Sequence, residues 1–191
     1  HLAEHDFLTD LPNRVLFLDR LQQALANARR QHKKVAVMFV DLDRFKAIND
    51  GLGHQAGDQA LKEIASRMTR CVRGADTVSR QGGDEFVVIL ADIGGVDQAA
   101  HVATTLMQAI VQPIPTPAQD IVLSASIRIS IFPGDGDDVD TLLKHADVAM
   151  YHAKQDGRNT FRFFSPGMNA HVVERVQMEN SLRHALAHGE F

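Results

Sequence analysis

A chain of 191 residues, 45% hydrophobic and 23% charged, has the make-up of one globular domain with room for a real core. Its formal net charge of -4 argues against a general nucleic-acid binder, which normally carries a basic excess. The single cysteine, Cys71, excludes an internal disulfide and a multi-cysteine zinc site, and suits a reducing cytoplasm.

In chain order, Asn13 to Arg30 reads as a helix, with Pro12 suited to its start and Leu18, Leu21, Leu25 and Ala28 on one face. Val35 to Val40 is a short apolar, β-branched run, a buried strand. A short helix from Arg44 to Asn49 leads into the loop Gly51-Leu52-Gly53. Ala56 to Arg70 is a second long helix, with Leu61, Ile64, Ala65 and Met68 as its buried stripe. Two strands follow, Asp76 to Gln81 and Phe86 to Ala91, then a break at Gly94-Gly95. Val96 to Val111 is a helix buried through Ala99, Ala103, Leu106 and Ile110. Pro113, Pro115 and Pro117 make an extended connector. Ile121 to Ile131 reads as a strand and Pro133 to Asp138 as a turn-rich acidic loop. Asp140 to Lys154 is a helix with Leu143, Ala146, Met150 and Ala153 inward, and Thr160 to Phe164 a last short strand. Beyond Ser165-Pro166-Gly167, the positions Val172, Val176, Glu179, Leu182 and Leu186 run along one more helix.

This order implies an α/β or α+β fold, a central mixed sheet covered by helices. No run approaches the roughly 18 apolar residues of a membrane span, and no signal-peptide pattern is present. The chain starts in mid-pattern and stops abruptly, so it is expected to be a piece of a longer protein. His1 with His5, and His184 with His188, have a spacing that could bind metal on a helix, but no third ligand accompanies either pair.

The chemistry concentrates at Gly82-Gly83-Asp84-Glu85-Phe86. Two glycines between strands read as a tight hairpin, because glycine accepts positive φ without steric cost. Two carboxylates at the tip suit Mg²⁺, which binds one or two carboxylates plus substrate phosphates. A hairpin with a solvated acidic tip accounts for those five residues equally well. Asp41 shifts the balance. It sits at the C-terminal end of a buried strand, where open α/β sheets place ligand chemistry. Adjacent strands would bring Asp41 and Asp84 together. Asp43 reads instead as an N-cap for the next helix.

Five ordered motifs resemble the GGDEF domain, the diguanylate cyclase family of bacterial signalling. They are Asp6-Phe7-Leu8-Thr9-Asp10-Leu11-Pro12-Asn13-Arg14, the run from Asp41-Leu42-Asp43-Arg44-Phe45-Lys46 to Asp50, Gly53-His54-Gln55-Ala56-Gly57-Asp58, Arg80-Gln81-Gly82-Gly83-Asp84-Glu85-Phe86, and Ala153-Lys154-Gln155-Asp156-Gly157-Arg158-Asn159. The resemblance implies a GGDEF domain over residues 1–164, with the mainly antiparallel, palm-like sheet of nucleotidyl cyclases and polymerases. Residues 165–191 resemble the helical linker into a C-terminal EAL phosphodiesterase domain; a capping helix is the simpler alternative.

By that resemblance two GTP molecules condense into cyclic di-GMP on a homodimer, with Mg²⁺ (or Mn²⁺) as cofactor. Asp41, Asp84 and the Leu42 carbonyl would hold the metal. Glu85 would be a catalytic carboxylate, acting on the hydroxyl or as a further metal contact. Asn49 and Asp58 would read guanine, whose adjacent N1–H and 2-amino donors suit one carboxylate. Lys46, Lys154 and Arg158, with amides near Phe45 and Lys46, would bind phosphates, and Gly82 and Gly83 would border the ribose and α-phosphate. Arg73 and Asp76, with Arg73 nine positions before Gly82, resemble an inhibitory site for cyclic di-GMP. The implied setting is a cytoplasmic domain with an N-terminal sensor, in a parent that the resemblance leaves free to be membrane-anchored. One departure stands out: Ser126-Ile127-Arg128 has arginine where the family usually has glycine. That departure and the linker-like tail support a rival to an active cyclase, a GTP-binding module regulating a phosphodiesterase domain; a third reading is a receptor for the product acting only through Arg73 and Asp76.

Overall fold

The computed structural model describes residues 3–117, 119–145 and 158–165. The elements are α1 (Arg14–Gln31), β1 (Lys34–Leu42), α2 (Phe45–Leu52), α3 (His54–Cys71), β2 (Thr77–Gly82), β3 (Glu85–Ile93), α4 (Val96–Ile110), β4 (Ala125–Phe132) and β5 (Thr160–Phe163). Residues 139–145 are also helical. Lys154, the inward positions Ala146, Met150 and Ala153, and all of the expected linker except Ser165 lie outside the described residues.

The five strands form one sheet in the order β2-β3-β1-β4-β5. β1 runs antiparallel to both β3 and β4, β2 and β3 form an antiparallel hairpin, and only β4 and β5 are parallel. This is the central mixed sheet expected from the element order, with the mainly antiparallel pairing that the family resemblance implies.

Both faces of the sheet are covered, which is why β1 reads as an unbroken apolar run rather than an alternating one. On one face Ala36, Met38 and Val40 meet Leu61, Ile64 and Met68 of α3 and Ala103, Leu106 and Ile110 of α4. On the other, Val35, Val37, Val87 and Ile89 meet Phe17, Leu21, Leu25 and Ala28 of α1, with Leu142 beside them. Each such large apolar side chain contributes roughly 1.5–3 kcal/mol when fully buried.

Several boundaries differ from expectation. Pro12 is not the first helical residue: Asn13 caps α1, its side chain accepting from the amides of Val15 and Leu16, while the Pro12 carbonyl accepts the Arg80 amide at 3.0 Å. The strand expected from Ile121 begins only at Ala125. Ile121 pairs instead with Ile114, each amide donating to the other's carbonyl at 2.8–2.9 Å, and Val122 is exposed. α2 continues to Leu52, and only Gly53 separates it from α3. Gly53 has φ 84, a left-handed conformation that favours glycine.

Candidate active site

The hairpin forms where the two glycines allow it. Gly82 has φ 141 and Gly83 φ 53, and a Cβ at either would meet nothing within 4 Å. Backbone conformation, not crowding, therefore selects glycine there. The tip stands beside the end of β1. Asp41 is in register with Glu85 of β3 on one side and with Ser126 of β4 on the other. The Leu42 amide donates to the Asp84 carbonyl at 3.3 Å. Asp41, Leu42, Asp84 and Glu85 are thus brought together on adjacent strand ends.

Cross-strand partners share a sheet face, so the Asp41 and Glu85 carboxylates lie on the same face, one buried (9% exposed) and one exposed. Like charges directly opposite are destabilising, and a divalent cation relieves that repulsion. Among the described residues no three His, Cys, Asp or Glu side chains form a ready-made metal cage. A few carboxylates with a backbone carbonyl nevertheless fit Mg²⁺, which takes its other oxygens from phosphates and water.

Arg80 clamps the hairpin to the N-terminal turn. Its Nη1 donates to both carboxylate oxygens of Asp6 at 2.8 and 3.0 Å, and its Nε and Nη2 donate to the Gly83 carbonyl at 3.0 and 2.8 Å. Asp6 also accepts from the amide and hydroxyl of Thr9. Desolvation alone would push the Asp6 carboxyl up. The hydrogen bonds from Thr9 and Arg80, with the Arg80 charge, outweigh it and hold the carboxyl below its ordinary 3.8. The sequence assigned no role to Arg80; its place just before the glycine pair was the only signal.

Asp43 is not an N-cap. α2 starts from Arg44 in a left-handed conformation with no side-chain cap. The Asp43 carboxylate instead ties three segments together, accepting from Ser124 Oγ at 2.6 Å, Ser126 Oγ at 2.8 Å and the Asn159 amide at 3.0 Å. Asn159 follows Arg158, so this tie also locates Arg158, which lines one groove with Arg44, Ala47 and Ile48 of the α2 region. Phe45 and Lys46 open α2 just beyond Asp41 and Leu42. First-turn amides lack helical partners and favour anions. Asn49 is half-buried in the middle of α2, and Asp58 is exposed in the second turn of α3 against which α2 packs.

At Arg73 and Asp76 the structure adds a structural role. The Asp76 side chain, 2% exposed, accepts from the Arg73 amide at 3.0 Å and the Ala91 amide at 3.1 Å. Arg73 pairs with it at 3.3 Å but remains 56% exposed. Arg128 is 1% exposed. It stands in register with Phe39 and with Arg162, and its Nη1 donates to the Ile127 carbonyl at 3.4 Å. Phe39 and Asp41 share a face, so this buried cation occupies the row next to Asp41 and Ser126.

A family model described as "Diguanylate cyclase, GGDEF domain" matches residues 3–160. The bifunctional diguanylate cyclase/cyclic di-GMP phosphodiesterase MucR of Pseudomonas aeruginosa is 48% identical over 185 residues, 97% of this chain and 27% of that protein. The cyclic di-GMP phosphodiesterase NbdA of the same organism is 42% identical, over 97% of this chain and 24% of its own length. The chain thus spans about a quarter of these relatives. Among solved structures, the GGDEF domain of TpbB (YfiN) from Pseudomonas aeruginosa superposes with a TM-score of 0.82 at 41% identity, covering 86% of this chain and 96% of that one.

Proposed function

The chain belongs to the GGDEF family of diguanylate cyclase domains, and on that premise we propose that it condenses two GTP molecules into cyclic di-GMP with release of two pyrophosphates. The observation that carries this reading is the pairing of Asp41 with Glu85 at the end of β1, beside the open start of α2. When bound, Mg²⁺ or Mn²⁺ held by Asp41, Asp84 and the Leu42 carbonyl would neutralise phosphate charge and favour the 3′-oxygen as nucleophile.

The residues of the chain do the rest. Asn49 and Asp58 hold guanine. The amides of Phe45 and Lys46, with the Lys46, Lys154 and Arg158 side chains, hold the phosphates. Gly82 and Gly83 let the ribose and α-phosphate approach the hairpin backbone. Glu85 accepts the 3′-hydroxyl proton as that oxygen attacks the α-phosphorus of the other GTP and pyrophosphate leaves. One domain holds one GTP, so the reaction needs two copies face to face. Arg73 and Asp76 would take the product as an inhibitor. A following EAL domain and a preceding sensor complete the proposal for the longer protein, in line with relatives named as cyclases and phosphodiesterases.

A second reading is favoured by one observation. Arg128 places a buried cation in the row next to Asp41, where it competes with a metal for carboxylate charge. The domain would then bind GTP and regulate a phosphodiesterase without making product. Incubation with GTP and Mg²⁺, alone and fused to a dimeriser, separates the two when paired with GTP calorimetry. Cyclic di-GMP formed on dimerisation supports the cyclase, weakly without the dimeriser. GTP binding without product supports the regulatory module. No GTP binding removes both.

A further inference from the structure

Gly57 lies buried inside α3, immediately before Asp58. Glycine within a helix is unfavourable relative to alanine. Its backbone does not need glycine, because it is not among the positive-φ residues. Space is the reason. A Cβ at position 57 would overlap the Asn49 carboxamide oxygen, 3.0 Å from Asn49 Cγ and 3.2 Å from Phe45 Cζ. At Gly51, Gly53, Gly82 and Gly83 a Cβ would meet nothing within 4 Å. Phe45 and Asn49 are four residues apart on α2 and so share the face turned to α3.

We propose that Gly57 is a positioning residue for base recognition: its missing side chain is the seat that holds the Asn49 carboxamide against α3, next to Asp58. The proposal rests on the assignment of Asn49 and Asp58 to guanine. Asp58 accepts the N1–H and 2-amino donors, and the Asn49 amide donates to the neighbouring acceptor edge. The two side chains come from different helices. Their separation is fixed by how closely α2 lies on α3, and residue 57 sets that approach at Asn49. A methyl group there displaces the carboxamide from the base while leaving the phosphate-binding start of α2 in place. Specificity for guanine is then lost before affinity for triphosphate.

The test is calorimetric binding of non-hydrolysable guanosine and adenosine triphosphates, with Mg²⁺, to four proteins: wild type, Gly57→Ala, Asn49→Ala and the double variant. Gly57→Ala is expected to weaken guanosine triphosphate about ten- to a hundredfold, as for loss of a base-directed hydrogen bond, with adenosine triphosphate unchanged. In the Asn49→Ala background the same substitution is expected to cost no further affinity and to lower the melting temperature less than it does in wild type, because only the 3.2 Å approach to Phe45 Cζ then remains against the helix preference of alanine. Undiminished guanine preference in Gly57→Ala, or additive losses in the double variant, overturns the proposal. If Gly57→Ala alone does not fold, the double variant decides: recovery of folding supports the seat, and continued unfolding places the clash elsewhere and overturns it. If Asn49→Ala itself keeps full guanine preference, the base assignment falls, and the role of Gly57 with it.

Discussion

Replacing Asp43 with alanine removes the acceptor for three donors at once. Ser124 Oγ, Ser126 Oγ and the Asn159 amide lie 2.6, 2.8 and 3.0 Å from its carboxylate, which is itself buried. A hydrogen bond to a charged group is worth about 1.5–3 kcal/mol net, so three set an upper bound of about 9 kcal/mol. Two effects reduce it. Alanine relieves the desolvation of a buried carboxylate, and serine hydroxyls rotate to other acceptors. The expected loss is about 3–5 kcal/mol, a large share of the roughly 5–15 kcal/mol that holds a domain together. At about 2–4 °C per kcal/mol for a chain of this size, the melting temperature falls by about 6–20 °C. Asp43→Asn, which keeps one acceptor and gains a donor, is expected to fall between the two. Urea denaturation of the three proteins measures the series. Triphosphate affinity should fall with it, because Asn159 anchors Arg158. A loss below about 1 kcal/mol for Asp43→Ala would refute the tie as a stabilising element.

Asp84→Ala should abolish metal-dependent product formation while the melting temperature stays near wild type, since the bond from the Leu42 amide to its backbone carbonyl survives the substitution; full activity by chromatography of cyclic di-GMP would remove it from the metal site. Arg73→Ala should weaken cyclic di-GMP binding about ten- to a hundredfold with unchanged GTP affinity in calorimetry. Asp76→Ala should in addition lower thermal stability, because its carboxylate is fastened to the Ala91 amide; equal stability of the two variants would contradict that. The Asp6 carboxyl is held below its ordinary 3.8 in the folded protein. Its contribution is therefore complete above that value and disappears as pH falls through the lower folded value. Asp6→Asn should flatten the acid limb of stability, read from urea midpoints from about pH 5 downward; an unchanged slope would show that the Arg80 pair is not linked to folding.

Elements with a strong local period were legible. The stripes of α3 and α4 came directly from 3.6-residue spacing, and β1 from its apolar run. The sheet order was not, because strand neighbours are chosen by tertiary packing. Ile121 was read as strand because β-branched residues favour extended backbone, and it is extended, but against Ile114 outside the sheet. Among the described residues 139–145 Leu142 is the buried one, and Leu143, where the expected stripe began, is partly buried against the same cluster. In the site, the meeting of Asp41 with the hairpin tip followed from both lying at strand ends. That Glu85, not Asp84, is its register partner is set by the β1–β3 pairing, which no local pattern specifies. Asp43 was misread because a carboxylate before a helix ordinarily caps it, and nothing local announces acceptance from Ser124 and Ser126, more than 80 residues away.

The central place of β1 has a consequence for how amide protons leave the molecule. β1 is hydrogen-bonded on both sides, so its amides exchange with solvent through openings of the sheet itself, and Asp41 is carried on that protected backbone. Gly83 and Asp84 sit at a turn and exchange through small local openings. Asp41 and Asp84 thus sit on backbone of different rigidity, a fixed post and a tip that can breathe. Nucleotide that engages both should slow exchange at the tip far more than in the strand beneath it.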